Sequence, residues 1–146
     1  MTEIAFHFNV VDKLLYACRL LRKAHASDAQ VAVTGEPELL NALDQLLWSF
    51  SAIEFVPHCR TYDGQRQLMR RSILLLDSPV ACPHHGVLVN LGLQMPSEFE
   101  KFERFIEVVT QGSDERFAAR VRWKHYADRG YALQRHDMAA ASEGDV

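Results

Sequence analysis

The sequence predicts a single α/β domain with a mostly parallel, twisted sheet that is flanked by helices. Two strand-to-helix units follow one another at the start of the chain, and such units favour crossover connections between parallel strands. Two later runs, 73–76 and 87–90, are short and wholly apolar or nearly so, which is typical of central strands buried on both faces. The length of 146 residues suits one hydrophobic core.

The first strand-to-helix unit begins with Ile4 to Val11, where alternating apolar residues predict a strand. Asp12 is placed to cap the helix that follows. The second unit joins a strand at 31–34 to a helix that begins at Gly35-Glu-Pro37, because proline suits the first helical turn. Neither turn carries a glycine-rich phosphate-binding motif, so we expect a Rossmann-like fold without a nucleotide site and without a cofactor.

The second half of the chain contains further predicted elements. Ser97-Glu-Phe-Glu100 has the spacing of a capping box and predicts a helix through Phe102 and Phe105. Periodicity leaves 107–109 open between the end of that helix and another strand. A final helix is predicted from about Asp114 to Gly130, since glycine readily takes the left-handed conformation after a helix. Residues 138–146 bury little and are expected to fray, which leaves a domain at 1–137.

Composition excludes several functional classes. A net charge of −3 argues against a general affinity for nucleic acid. No apolar run reaches the length of a membrane span, and no signal peptide is visible, so no membrane partner is expected. Three cysteines without framework spacing fit a reducing cytoplasm.

Histidines and cysteines occur together in His58-Cys59 and in Cys82-Pro-His84-His85. Their spacing matches no common closed zinc site, so no metal is expected. An enzyme that uses Cys59 or Cys82 with a histidine is an alternative function, although no local signature of a nucleophile surrounds either cysteine. No catalytic residue is predicted. Cys18 lies on the apolar stripe of the first helix and is expected in the core.

The final helix has an unusual face. Advancing about 100° per residue places four residues on one arc: Arg116, Arg120, Trp123 and Lys124. Phe117 and Val121 share another face, which we expect to anchor the helix to the sheet. The arc is either a solvated charged face or a pocket for an acidic ligand with an apolar end, in which Trp123 and Tyr131 form the apolar wall. Direct binding of single-stranded DNA is a further alternative.

Four segments together resemble the chi subunit family of bacterial DNA polymerase III. They are Leu47-Trp48 with Glu54-Phe-Val-Pro-His58, Val87-Leu-Val-Asn-Leu-Gly92, Arg120-Val-Arg-Trp-Lys-His-Tyr126, and Gly130-Tyr131. The resemblance extends over essentially the whole chain. It implies a non-catalytic accessory subunit of the polymerase holoenzyme, associated with the clamp loader and located in the bacterial cytoplasm.

The resemblance also implies two protein partners and only an indirect contact with DNA. One partner is the psi subunit; the other is the acidic C-terminal tail of single-stranded DNA-binding protein, which ends in Pro-Phe. Matched by position, the tail pocket comprises Val109, Arg116, Arg120, Trp123, Lys124, Gly130 and Tyr131. The psi interface comprises Trp48, Phe55, Val56, Pro57 and His58.

Overall fold

The computed structural model describes residues 2–49, 57–60, 73–79 and 82–141. Its strands are β1 (Glu3–Val10), β2 (Val31–Thr34), β3 (His58–Cys59), β4 (Ile73–Leu76), β5 (Val87–Asn90), β6 (Arg104–Thr110) and β7 (Leu133–Asp137). Its helices are α1 (Lys13–Ala26), α2 (Pro37–Ser49), α3 (Ser113–Asp128) and α4 (Met138–Ala141), and a 3-10 turn lies at Phe99–Lys101. The strand order in the described sheet is β3-β4-β2-β5-β6-β1-β7, and every neighbouring pair is parallel. The predicted α/β class is confirmed.

The strand-to-helix units form where their local signals predict them. The Asp12 carboxylate accepts a hydrogen bond from the Leu15 amide at 3.1 Å and so caps α1. Helix α2 begins at Pro37, whose fixed φ suits that position. All four residues of β4 and three of the four residues of β5 are buried, which confirms the prediction that these two strands are covered on both faces. Strand β2, which lies between them, is also buried throughout.

The helix predicted from the Ser97 capping box is wrong. Glu98 takes a left-handed conformation with φ 58°, and only the 3-10 turn follows it before β6 begins. Strand β6 lies inside the sheet between β5 and β1. Phe105 and Ile106 are both buried, on opposite faces of the sheet. A strand that is apolar on both faces has no period of two, so the helical spacing of Phe99, Phe102 and Phe105 is coincidental.

Two hydrophobic clusters cover the two faces of the sheet. One joins α1 and α2 to side chains such as Val33 and Val89, and it contains Cys18, which is fully buried as predicted. The other lies on the opposite face under α3 and is built from aromatic residues, including Phe6, Phe105 and Tyr126. The second cluster is the foundation of the candidate site.

The two edges of the described sheet are less apolar than its centre. Strand β7 pairs with β1, and only Leu133 among its residues is not exposed. The first residues of the segment expected to fray form α4, and Met138 packs against the α1 side of the core. Residues 142–146 and 50–56 lie outside the described residues. Across the ranges that the structure describes, no helix is long and apolar enough to cross a membrane.

Candidate functional site

Helix α3 is fixed at its N-terminus by acidic residues of its first turn. Asp114 and Glu115 lie there, where the helix dipole favours negative charge. The Glu115 carboxylate accepts a hydrogen bond from the Thr110 amide at 3.3 Å and forms an ion pair with Lys13 at 2.7 Å. The start of α3 is therefore tied to the end of β6 and to α1.

The other end of α3 closes as the glycine signal predicts. Gly130 has φ +82°, a left-handed conformation that costs glycine little. Its amide donates to the Ala127 carbonyl at 3.0 Å, and the Tyr131 amide donates to the Tyr126 carbonyl at 3.2 Å. No atom lies within 4 Å of a Cβ built on Gly130, so glycine is needed there for its backbone conformation and not for space.

The face by which α3 contacts the sheet differs from the prediction. Phe117 is 70% exposed and Val121 is 57% exposed, so neither anchors the helix. The buried residues are Ala119, Arg122 and Tyr126. The sheet below already carries large aromatic side chains, and a small alanine and a polar network fit against them where two further apolar side chains were expected.

The predicted cations lie together on the exposed surface of α3. Arg116, Arg120 and Lys124 follow one another at intervals of four residues, and all three are exposed. Residues at this spacing are neighbours on a helix surface. None of the three side chains forms a hydrogen bond or an ion pair with another described residue. The arc thus presents three uncompensated positive charges on a protein whose net charge is −3.

The predicted apolar residues meet in the cluster beneath these cations. Trp123 and Tyr131 are half-buried and pack against the same cluster, of which Val109 is a buried member. The Trp123 ring meets Phe6 edge-on, with centroids 5.1 Å apart. The Tyr131 ring lies 5.5 Å from Phe99. Val109 is only 2% exposed, so it supports the aromatic residues from below, whereas Gly130 contributes the turn that leads to Tyr131.

Sequence reasoning missed a residue beside Trp123. Arg135 on β7 places its guanidinium 5.1 Å from the centroid of the Phe8 ring and 5.9 Å from that of Trp123. The segment 133–137 contains a single apolar residue, Leu133, and so has no alternation that predicts a strand. Only the pairing of β7 with β1 brings Arg135 to α3.

A second group that the sequence did not reveal is a polar network inside the fold. The fully buried Glu107 carboxylate accepts hydrogen bonds from Arg122, Tyr126 and Asn90, each at 2.7 Å. Burial raises the pKa of the Glu107 carboxyl, while its three donors act in the opposite direction. Burial and the nearby Glu107 likewise raise the pKa of Tyr126. The network joins α3 to the centre of the sheet.

The same network fills the carboxyl edge of the sheet, where open α/β sheets commonly bind ligands. The side-chain oxygen of Asn90 accepts hydrogen bonds from the Gly92 amide at 3.0 Å and from the Thr34 hydroxyl at 3.3 Å. A Cβ on Gly92 would lie 3.3 Å from the Cα of Gly35, so the two loops approach closely. Arg122 also donates to the Leu93 carbonyl.

Three of the five residues predicted to bind psi, Trp48, Pro57 and His58, lie at the other edge of the described sheet. Trp48, at the end of α2, is 61% exposed and its ring meets that of His58 with centroids 5.2 Å apart. His58 forms a contact of 3.1 Å with the Asp44 carboxylate. Pro57 is half-buried. Phe55 and Val56 lie outside the described residues.

Two cysteines can be judged for reactivity. Cys18 and Cys82 are both buried, and burial raises the pKa of Cys18 to about 11 and that of Cys82 in the same direction. A raised pKa keeps both as thiols, which are poor nucleophiles. In the described parts of the chain no group of three or more histidine, cysteine or acidic residues could hold a metal ion.

Comparison with known proteins adds two findings. Residues 1–134 match the family described as DNA polymerase III chi subunit, HolC. The chain is also 34% identical over 127 residues to the DNA polymerase III subunit chi of Pseudomonas aeruginosa, covering 86% of this chain and 87% of that protein.

Proposed function

The chain belongs to the DNA polymerase III chi subunit family, and from this premise we propose that it links the psi subunit to the acidic C-terminal tail of single-stranded DNA-binding protein. It acts beside the clamp loader as an accessory subunit without catalytic activity of its own. Its contact with DNA is mainly indirect, through the partner protein.

The row of uncompensated cations on α3 carries this proposal. Arg116, Arg120 and Lys124 are exposed neighbours without an ion pair to any described residue. Clustered like charges repel one another until an anion neutralises them. An acidic peptide supplies several carboxylates at once, and guanidinium groups hold carboxylates by charge-assisted hydrogen bonds.

The aromatic residues beside this row suit the apolar end of the same tail. Trp123 and Tyr131 each keep part of their surface accessible while the rest packs on the buried cluster. A terminal phenylalanine gains both apolar burial and ring contacts when it packs between such side chains. Acidic residues of the tail therefore bind along Arg116, Arg120 and Lys124, and the Pro-Phe end binds beside Trp123 and Tyr131 over Val109 and Gly130.

The psi subunit binds at the opposite edge of the sheet. Trp48 is a large apolar side chain that is mostly exposed, a feature that is common in protein interfaces. Trp48 lies beside β3. Strands β3 and β7 are the two edge strands of the described seven-stranded sheet, so six inter-strand spacings separate them. At about 4.8 Å per strand the two edges are roughly 29 Å apart, so both partners have room to bind together.

A titration of the protein with a synthetic peptide of the tail tests this function. We expect Arg120→Ala to weaken binding of the peptide by about 1–3 kcal/mol, because charge-assisted hydrogen bonds are lost. Arg19→Ala is the matched control, since Arg19 is an exposed cation on α1, across the sheet from α3. If the unaltered protein, Arg120→Ala and Arg19→Ala all bind the peptide with equal affinity, Arg120 is not a tail contact. Binding of an oligonucleotide without peptide would instead favour direct recognition of single-stranded DNA.

A further inference from the structure

We propose that Arg135 is a fourth cation of the tail-binding surface, and that it binds a carboxylate of the acidic peptide while Phe8 and Trp123 hold its guanidinium in place. This inference rests on the proposed function. It adds a residue on β7 to a site otherwise assigned to α3 and the segments next to it.

The sheet register brings Arg135 to α3. Arg135 pairs with Phe6 of β1, and both side chains contact the Trp123 ring. Phe8 lies two residues further along β1, on the same face of the sheet. Trp123 is therefore held between an aromatic edge from β1 and a guanidinium from β7.

The same contacts place Arg135 beside the cations of α3. Because Trp123 touches β1 and β7, its flank of the helix faces the β7 edge of the sheet. Arg120 and Arg116 precede Trp123 by three and seven residues, spacings that keep them on that flank. A peptide that follows these cations passes the end of the Arg135 side chain.

The state of the Arg135 side chain suits an anionic ligand. A guanidinium that stacks on rings uses its flat face and leaves the N–H groups around its rim free to donate. Arg135 is exposed and forms no hydrogen bond or ion pair with another described residue. Asp137, the acid on the same face of β7, accepts hydrogen bonds from Asn9 and from the Ala139 amide, both at 3.0 Å. The rim of Arg135 is thus oriented by aromatic contacts and is not neutralised by that neighbour.

Calorimetric titration of the tail peptide into Arg135→Ala, Arg135→Lys, Arg120→Ala and Arg19→Ala proteins tests the inference. We expect Arg135→Ala to weaken binding roughly threefold to tenfold, and Arg135→Lys to weaken it less, because lysine keeps the charge but not the planar, stacked group. Arg19→Ala should bind as the unaltered protein does. Each acidic residue of the peptide can be replaced in turn by its amide. At one position the replacement should weaken binding to the unaltered protein but leave the affinity for Arg135→Ala unchanged.

Two results would overturn this inference and leave the proposed function in place. One is an unchanged affinity in Arg135→Ala while Arg120→Ala binds weakly. The other is a higher affinity in Arg135→Ala, which would mean that Arg135 covers Trp123 and competes with the ligand. If Arg120→Ala and Arg135→Ala both bind the peptide as the unaltered protein does, the assignment of the tail to the surface of α3 fails together with the inference. If the unaltered protein does not bind the peptide, the proposed function itself fails.

Discussion

Arg122 donates a hydrogen bond to the carboxylate of Glu107 at 2.7 Å, and both side chains are buried. Two residues earlier on the same helix, Arg120 is exposed and has no ion pair with a described residue. One arginine therefore holds α3 on the sheet, while the other is exposed on the surface that we propose binds the tail peptide. The two can be separated by experiment because one affects stability and the other affects binding.

Replacing Arg122 by alanine should destabilise the fold strongly. The substitution leaves the Glu107 carboxylate in a buried position without its cation, a loss of about 3–5 kcal/mol in comparable cases. Arg120→Ala should change the free energy of unfolding by less than about 0.5 kcal/mol, as at other exposed positions. Urea denaturation of the two variants measures both values. Equal stability of Arg122→Ala and Arg120→Ala would show that the buried pair does not support α3.

Replacing Phe117 by alanine should have little effect on stability, although sequence periodicity predicts an anchor there. Phe117 is 70% exposed, whereas Phe105 in the sheet below is fully buried. We expect less than about 0.5 kcal/mol for Phe117→Ala and about 3–5 kcal/mol for Phe105→Ala. Thermal and urea unfolding of both variants compare them. A large decrease in the free energy of unfolding of Phe117→Ala would mean that Phe117 does anchor α3 to the sheet.

Stability should fall as the pH decreases below neutrality, with His7 as one cause. Burial, helped by the charges of His136 and Arg104, lowers the pKa of His7 from 6.5 to about 4. The Nδ1 atom of its ring also shares a hydrogen bond with the Tyr16 hydroxyl. The unfolded chain binds a proton at this side chain in this window and the folded chain does not. The contribution of His7 to the free energy of unfolding therefore decreases from about pH 6.5 to about pH 4 and then levels off.

Comparison with His7→Gln isolates this contribution. The free energies of unfolding of the unaltered protein and of His7→Gln should differ by an amount that changes by on the order of 2–3 kcal/mol between pH 7 and pH 4. The unaltered protein should lose more stability. Urea denaturation at several pH values measures the two slopes. Parallel slopes would mean that His7 titrates normally in the folded protein.

The two partner surfaces should work independently. Trp48 and Arg120 are associated with opposite edges of the described sheet, and distant sites without shared contacts usually show additive energies, within about 0.5 kcal/mol. Saturation with psi should therefore leave the affinity for the tail peptide within about twofold. Trp48→Ala should weaken binding of psi and leave binding of the peptide unchanged. Competition between psi and the peptide in the same titration would contradict this arrangement.

Local sequence signals predict the helices that begin or end at a characteristic capping or turn residue. The Asp12 cap, Pro37 and Gly130 all mark ends of helices that the structure contains. For β6 the helix predicted through Phe105 is wrong, and the sequence leaves 107–109 open, because a strand buried on both faces carries no alternation. The pairing of Arg122 with Glu107 joins residues that are 15 positions apart, and charged residues are seldom buried, so no sequence pattern pointed to it. Arg135 reaches Trp123 only through the sheet.

We propose that the surface of α3 captures the acidic tail of single-stranded DNA-binding protein. Measuring the affinity of this chain for purified single-stranded DNA-binding protein from the same organism, with and without the last residues of its tail, tests this proposal. We predict that the intact protein binds, that the truncated protein does not bind measurably, and that Arg120→Ala weakens the intact complex. Equal binding of the intact and truncated proteins would show that the tail is not the ligand.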